Sequence, residues 1–371
     1  MLRAEWRIQA AGGQMQNDAV GVGLVGYGFA GRTFHAPVIA GVPGLRLAAV
    51  ASSQPDVVLR DWPQTRVVAE PAALLASPDV DLVVIATPND SHHPLARAAL
   101  EAGKHVVVDK PFTMDLAEAE DLLALAKAKA RVLSVFHNRR FDADFLTLQD
   151  VLSSGRLGRL VYFASHFDRY RPQVLARWRD QPGAGGLWPD LGSHLVDQAV
   201  QLLGVPDAIH ADMGPVRDHA ATEDYFHVQL RYEQGAHAGL RVVLHSTAIA
   251  AAPAPRYTVH GTLGSYVKHG VDPQEAALKA GARPRLDDLG DWGADPEPGQ
   301  LSLPADAAAS GVQMVPSRPG NYMAYYAAVR DAIRGIGANP VTPEQATQVM
   351  ALLELGRESS AQRRELRILP L

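Results

Sequence analysis

The 371-residue chain contains no cysteine. Disulfides, thiolate metal sites and cysteine nucleophiles are thereby excluded, and the composition suits a cytoplasmic protein. No run of about twenty apolar residues occurs, so no transmembrane helix is expected. Arg3, Glu5 and Arg7 are followed by no continuous apolar stretch, which argues against a secretory signal peptide. Positive charge is not in excess either: 35 Lys and Arg face 40 Asp and Glu, a formal net charge of -5. The arginines are scattered and balanced by nearby acids, so a nucleic-acid surface is not expected. What is present is ordinary for a well-packed globular protein, with 47% hydrophobic and 20% charged residues. The length exceeds what one core usually holds, so two domains are expected. Residues 1–18 read as a flexible extension, and Met15 leaves open whether residues 1–14 belong to the native protein.

Residues 20–26 (VGVGLVG) form a short apolar run ending in glycine, as a buried parallel strand does. The run leads into Gly26-Tyr27-Gly28-Phe29-Ala30-Gly31. In such a motif Gly26 permits the tight turn, Gly28 lets the backbone approach a pyrophosphate, and Gly31 lets the helix pack on the strand. The helix N-terminus then offers its unsatisfied N–H groups to the phosphates. Gly-rich turns are common, so context matters. Further strands are expected at 45–51, 67–68, 80–86, 105–108 and 132–135, with helices at 93–102 and 117–130. That alternation predicts a doubly wound parallel sheet over residues 19–138, with a nicotinamide dinucleotide bound at Gly26, Gly28, Phe29, Ala30 and Gly31.

The end of the second strand decides the ribose 2′ position, where a carboxylate would accept the hydroxyl and repel a phosphate. Ser52-Ser53-Gln54 stands there, with no acid before Asp56, which favours NADP(H) over NAD(H). Arg32 and Arg60 are either phosphate ligands or solvated surface arginines; both readings stand.

Three further segments fall where a catalytic cleft should lie, near the carboxyl ends of strands. They are Thr87-Pro88-Asn89-Asp90-Ser91-His92, Asp109-Lys110-Pro111, and residues 185–194 (GGLWPDLGSH), the last entering a helix from a Gly- and Pro-bearing loop. Asp190 and His194 are four apart and would share a helix face. A histidine can take an alcohol proton near neutral pH while a carboxylate orients the hydroxyl or the imidazole. Together with the N-terminal glycines, these segments resemble the Gfo/Idh/MocA family of sugar and cyclitol oxidoreductases. Residues 31–37 (GRTFHAP), Ser52-Ser53, 137–144 (HNRRFDAD), 168–172 (DRYRP) and Trp178-Arg179 make the chain similar, within that family, to the subgroup of NADP-dependent scyllo-inositol dehydrogenase. Asp109 departs from the family pattern, which has Glu before Lys-Pro.

The resemblance implies a catalytic Lys110 that binds the reacting hydroxyl and also borders the cofactor, a catalytic His194 and a substrate-orienting Asp190. A surface ion pair between Lys110 and Asp109 is the bland alternative. Thr87, Pro88, Asn89 and His92 would border the nicotinamide ribose, although Asn89, Asp90 and Ser91 also suit a helix cap. Asp168, Arg169, Trp178 and Arg179 would bind neighbouring substrate hydroxyls; a mutual Asp168–Arg169 salt bridge and a core Trp178 are the alternatives. His35 is read as packing the first helix rather than touching cofactor. A cis bond before Pro111 is also implied. No metal site is expected, because no i, i+4 histidine pair with an acid occurs and Lys110 would oppose a cation beside Asp190.

For residues 139–371 the family implies a substrate-binding domain with a large, mostly antiparallel sheet, whose open face packs on another subunit of a homo-dimer or homo-tetramer. The pattern agrees: a helix at 141–152, then apolar alternating runs at 160–167, 209–213, 225–232, 238–244 and 256–260, most of which follow one another without intervening helices. Residues 281–304 read as a long loop, and 322–334 and 343–358 as amphipathic helices, the latter with Thr342 as cap and Pro343 in its first turn. The expected partner is a small polyol or sugar, with neither membrane nor nucleic acid. Two other functions stay open: a cofactor-binding sensor with an inactive site, and a redox-neutral glycosidase that uses NAD transiently.

Overall fold

In a computed structural model that describes residues 19–175, 185–304 and 311–368, the chain forms two sheets. The first runs β3-β2-β1-β4-β5-β6 and is parallel throughout. Its strands are β1 (Val20–Val25), β2 (Leu45–Ala51), β3 (Arg66–Val68), β4 (Leu82–Ile85), β5 (His105–Val108) and β6 (Leu133–Val135). Between them run α1 (Ala36–Ala40), α2 (Pro55–Asp61), α3 (Pro71–Leu75), α4 (His92–Glu101) and α5 (Leu116–Lys129). Strands β1, β4 and β5 are almost wholly apolar because helices cover both faces of the sheet. The strand order reverses direction between β1 and β4, and the crevice at that switch is where such sheets bind ligands.

The second sheet has nine strands in the order β14-β13-β12-β11-β7-β10-β9-β8-β15. After α6 (Ala143–Ser153) come β7 (Leu160–His166), α7 (Ser193–Leu203), β8 (Ala208–Gly214), β9 (Tyr225–Arg231), β10 (Arg241–Thr247), β11 (Tyr257–Gly261) and β12 (Ser265–Lys268). They are followed by α8 (Gln274–Lys279), β13 (Gly299–Leu303), β14 (Gly311–Val315), α9 (Tyr322–Ile333), α10 (Pro343–Gln362) and β15 (Leu366–Arg367). All pairings are antiparallel except β7 with β10. The strands alternate: Val242, Leu244 and Ser246 of β10 are fully buried, whereas Arg241, His245 and Thr247 are only partly covered. One face is therefore packed and the other open, as expected of a half-covered antiparallel sheet. Among the described residues no helix is long and apolar enough to cross a membrane.

Two local expectations are corrected. Residues 281–304 are not loop throughout: β13 occupies Gly299–Leu303, with Leu301 fully buried, a strand too short and Gly-flanked for its alternation to stand out. The apolar run at 238–244 is displaced to Arg241–Thr247, because His245, Ser246 and Thr247 pair with His227, Phe226 and Tyr225 respectively despite their polarity.

Helix α10 belongs to both halves. It packs on α5 of the first sheet and on β8 of the second. Glu354 Oε1 accepts from Leu116 N at 2.6 Å, and the carbonyl of Leu353 accepts from Trp188 Nε1 at 2.9 Å. A capping box between Thr342 and Gln345 starts the helix, with Pro343 in its first turn.

Candidate active site

The glycine turn after β1 is shaped by contact. Gly26 has φ +94, and a Cβ there would lie 2.5 Å from the Ala86 carbonyl oxygen; one on Gly31 would lie 2.1 Å from the carbonyl oxygen of Gly26. Gly28 differs, since a Cβ there would meet nothing within 4 Å. The first and third glycines are thus required by the protein's own packing, and the second borders open space at the mouth of the crevice. This fits a pyrophosphate lying against Gly28. The contrast is testable: Gly28→Ala should leave the urea midpoint nearly unchanged while weakening dinucleotide binding at least about tenfold, some 1.4 kcal/mol. Gly31→Ala should lose about 1–3 kcal/mol of stability as well, from backbone crowding. Equal stability loss in both variants would refute the distinction.

Around the turn, Phe29 is exposed and stands edge-on to Phe34 at 5.5 Å, and Ala30 is half-buried. Ser52 and Ser53 follow β2, with Ser52 Oγ accepting from Gln54 N at 3.0 Å. Arg32 pairs through Nε with Asp61 at 2.7 Å, and Arg60 lies 3.7 Å from the same carboxylate. His35 is fully buried, its Nδ1 2.6 Å from Tyr326 Oη, which agrees with packing rather than cofactor contact.

Thr87 and Pro88 lead from β4 into a single 3-10 turn, Asn89–Ser91. Neither this turn nor α4 has a side-chain cap, so the capping role open to Asn89, Asp90 and Ser91 is not used; Ser91 Oγ instead lies 2.6 Å from Thr87 Oγ1. His92 is buried, with Nδ1 2.8 Å from the Pro111 carbonyl and Nε2 3.0 Å from the Thr87 carbonyl. It thereby ties the ends of β4 and β5 together. The peptide between Lys110 and Pro111 is cis.

Lys110 does not pair with Asp109. Its Nζ donates to Asp190 Oδ1 at 2.6 Å and to the Asp190 carbonyl at 3.1 Å. Asp109 is turned inward, where its Oδ1 accepts from Lys110 N at 2.8 Å and its Oδ2 lies 3.6 Å from His35 Nε2. Burial would raise its pKa, but His35, Lys110 and His92 together hold it below the usual carboxylate range.

Asp190 sits in a wide π-turn, Trp188–Gly192, that runs directly into α7. Trp188 anchors the turn: its indole is fully buried, and a Cβ on Gly192 would fall 2.2 Å from the ring. His194 in the first turn of α7 is 5% exposed, and its Nδ1 is buried without a hydrogen-bond partner. Burial pushes its pKa well below the ordinary imidazole value, and the charges of Lys110, Arg139, His137 and Arg256 push the same way. The arrangement offers a neutral buried imidazole, an ammonium and a carboxylate at the carboxyl ends of the β4 and β5 strands. Such a set can accept a proton from an alcohol while stabilising the oxygen that loses it.

Asp168 and Arg169 part ways in the fold. Arg169 is half-buried, and burial lowers its pKa against the opposing charges of Glu275 and Asp190. Asp168 is not brought to the cleft; its carboxylate lies between His166 and His245, and it makes no pair with Arg169. Strand alternation is the reason, because neighbouring residues at the end of β7 point to opposite sides. Trp178 and Arg179 lie outside the described residues.

Beneath the site is a buried polar layer to which the sequence reading assigned no roles. Arg139 bonds Asp142 at 3.1 Å and Glu275; Arg140 chelates Asp197 at 2.6–3.2 Å; Arg256 bonds Asp144 at 3.0 Å and Gln198 at 2.6 Å. His137 is buried beside them, its pKa lowered to about 4 chiefly by burial. Residues 137–144 carried the family resemblance, and their polarity at the entry to an apolar core is the physical signal of this layer.

Two family models match the chain. "Oxidoreductase family, NAD-binding Rossmann fold" covers residues 20–137, and "Oxidoreductase family, C-terminal alpha/beta domain" covers residues 149–368. The chain belongs to the Gfo/Idh/MocA oxidoreductases. The uncharacterized oxidoreductase YdgJ of Escherichia coli is 54% identical over 348 residues, spanning 94% of this chain and 98% of its own. The scyllo-inositol 2-dehydrogenase (NADP(+)) IolW of Bacillus subtilis is 38% identical over 355 residues, spanning 95% and 97%. The solved structure of YPO2259 from Yersinia pestis superposes with a TM-score of 0.90 at 52% identity, covering 96% of this chain and 99% of that one. Family membership agrees with both sheets as described and makes the Gly26–Gly31 turn part of an NAD(P)-binding domain.

Proposed function

We propose that the chain is an NADP(H)-preferring dehydrogenase acting on a secondary hydroxyl of a cyclitol or sugar, or the reductase of the matching ketone. The observation that carries this reading is the Lys110–Asp190 pair at 2.6 Å beside the buried, neutral His194. Gly26, Gly28, Phe29, Ala30 and Gly31 would hold the dinucleotide, with Ser52 and Ser53 at the adenosine ribose and Thr87, Pro88 and Asn89 at the nicotinamide ribose. His92 acts here by holding the strand ends that carry Thr87 and Lys110. A bound nicotinamide supplies the acceptor for the hydride released from the substrate carbon. Lys110 donates a hydrogen bond to the hydroxyl oxygen, His194 takes its proton, and Asp190 keeps Lys110 aimed while accepting from a neighbouring hydroxyl. Arg169 lies where it can bind a further one. Holding the carbon in place supplies much of the acceleration.

Ser52 and Ser53 in place of an acid, and the NADP(+) in the name of the relative IolW, both support the choice of NADP(H). Dissociation constants measured by nicotinamide fluorescence should be at least about tenfold lower for NADPH than for NADH, a difference of about 1.4 kcal/mol. Tighter NADH binding would reverse the assignment. A screen of inositols and aldoses, followed at the nicotinamide absorbance band, tests the reaction itself. Substrate consumption without net cofactor change would sink the dehydrogenase reading in favour of redox-neutral chemistry. We further propose a cytoplasmic homo-oligomer whose copies meet through the open sheet face, where Val312 and Met314 are exposed.

A further inference from the structure

The open face of the second sheet carries a row of histidines on adjoining strands. His166 ends β7 and is in register with His245 of the parallel β10, which is in register with His227 of β9. Asp168 follows β7 by two residues and returns to the same face. Its Oδ2 lies 3.4 Å from His166 Nδ1, and its Oδ1 lies 3.5 Å from His245 Nε2. The ligating atoms of all three residues lie within 4.8 Å of one another.

These separations are too long for N–H···O hydrogen bonds, which cluster at about 2.7–3.2 Å. Consistently, His166 Nδ1 and Asp168 Oδ1 are both buried without a hydrogen-bond partner. A buried imidazole nitrogen and a buried carboxylate oxygen that each lack a partner are costly unless something lies between them and their neighbours. A tetrahedral ion with bonds of about 2.0–2.2 Å sets its ligands about 3.3–3.6 Å apart, and the 3.4 and 3.5 Å from the two Asp168 oxygens to the imidazoles fall in that range.

We propose that His166, Asp168 and His245 bind a divalent first-row transition-metal ion on the open face of the second sheet, apart from the Lys110–His194 cleft. Two imidazoles and one carboxylate make a donor set that suits Zn²⁺ or Co²⁺ and is poor for Mg²⁺ or Ca²⁺. The remaining coordination position is left to water or to His227, whose ring stands 5.7 Å from that of His245. The ion clips the carboxyl ends of the two parallel strands.

The test uses the full chain without an affinity tag, stripped with a chelator and titrated with Zn²⁺ by calorimetry and with Co²⁺ by visible absorption. One ion per chain is expected, with the absorption of tetrahedral Co²⁺. Asp168→Asn and His245→Gln should each weaken binding by at least about tenfold, the lower bound for loss of even an outer-shell partner. His260→Gln, on the same sheet face, should change nothing. Added Zn²⁺ should raise the Tm of the wild type but not of His245→Gln. A wild type that binds no ion, or binds it no more tightly than the His166→Gln/His245→Gln double variant, overturns the proposal.

Discussion

Replacing His194 with alanine should lower turnover by about 10²–10⁴-fold, the range lost with a general base. The dissociation constant for NADPH should stay within about threefold of wild type, because His194 acts only as the reaction proceeds. Lys110→Ala should show the same split. Turnover near the wild-type level in either variant removes that residue from the mechanism. The pH profile adds a readout that a purely structural histidine would not move. An imidazole with an ordinary pKa near 6.5 would lose its basic form as pH falls through that value. Burial and the surrounding charges lower the His194 pKa well below it, so kcat/KM for alcohol oxidation should stay flat through pH 6.5 and fall only further down. Lys110 contributes to that depression, so Lys110→Met should move the acid limb of the remaining activity toward higher pH. An acid limb that stays in place would dissociate the two residues.

Arg256→Met should cost about 3–5 kcal/mol in urea unfolding, the usual price of removing one partner from a buried ion pair. Arg256 is 2% exposed and Asp144 fully buried, joined at 3.0 Å. The guanidinium also bonds Ser165 at 2.5 Å and Gln198 at 2.6 Å, and lies 3.9 Å from the centroid of the Phe167 ring. Methionine fills much of the volume but leaves the Asp144 carboxylate without a counter-charge. Asp144→Asn in the same background should recover part of the loss. A cost below about 1 kcal/mol would show that the network is not a stabilising unit. Gln198 lies on α7, one turn beyond His194, so the same variant should also reduce turnover.

The first sheet was legible because its signals are local. β2 and β5 fall on the expected residues, since each is a buried apolar run bounded by turn residues. Lys110, Asp190 and His194 were visible by motif, and their approach follows from the two sheets meeting at the switch point. Other features needed the folded chain. Asp144 meets Arg256 across 112 positions, and nothing near either residue announces the pairing. His166, Asp168 and His245 converge only because β7 and β10 are parallel neighbours, a juxtaposition across a sheet that spacing along the chain does not carry. Asp168 was read as a cleft residue from its segment, but the alternation of β7 sends it to the other side. β12, α8 and β13 escaped because their apolar positions are few and framed by glycine and proline.

Helix α10 closes one wall of the nucleotide-binding half and supports the turn that carries Asp190 in the other half. The buried core is correspondingly continuous from Leu24 and Val84 through Trp188 to Leu353. The two halves therefore share a single cooperative unfolding unit and do not behave as beads on a string. Heat or denaturant should melt them together, and the crevice geometry persists only as long as the whole chain does.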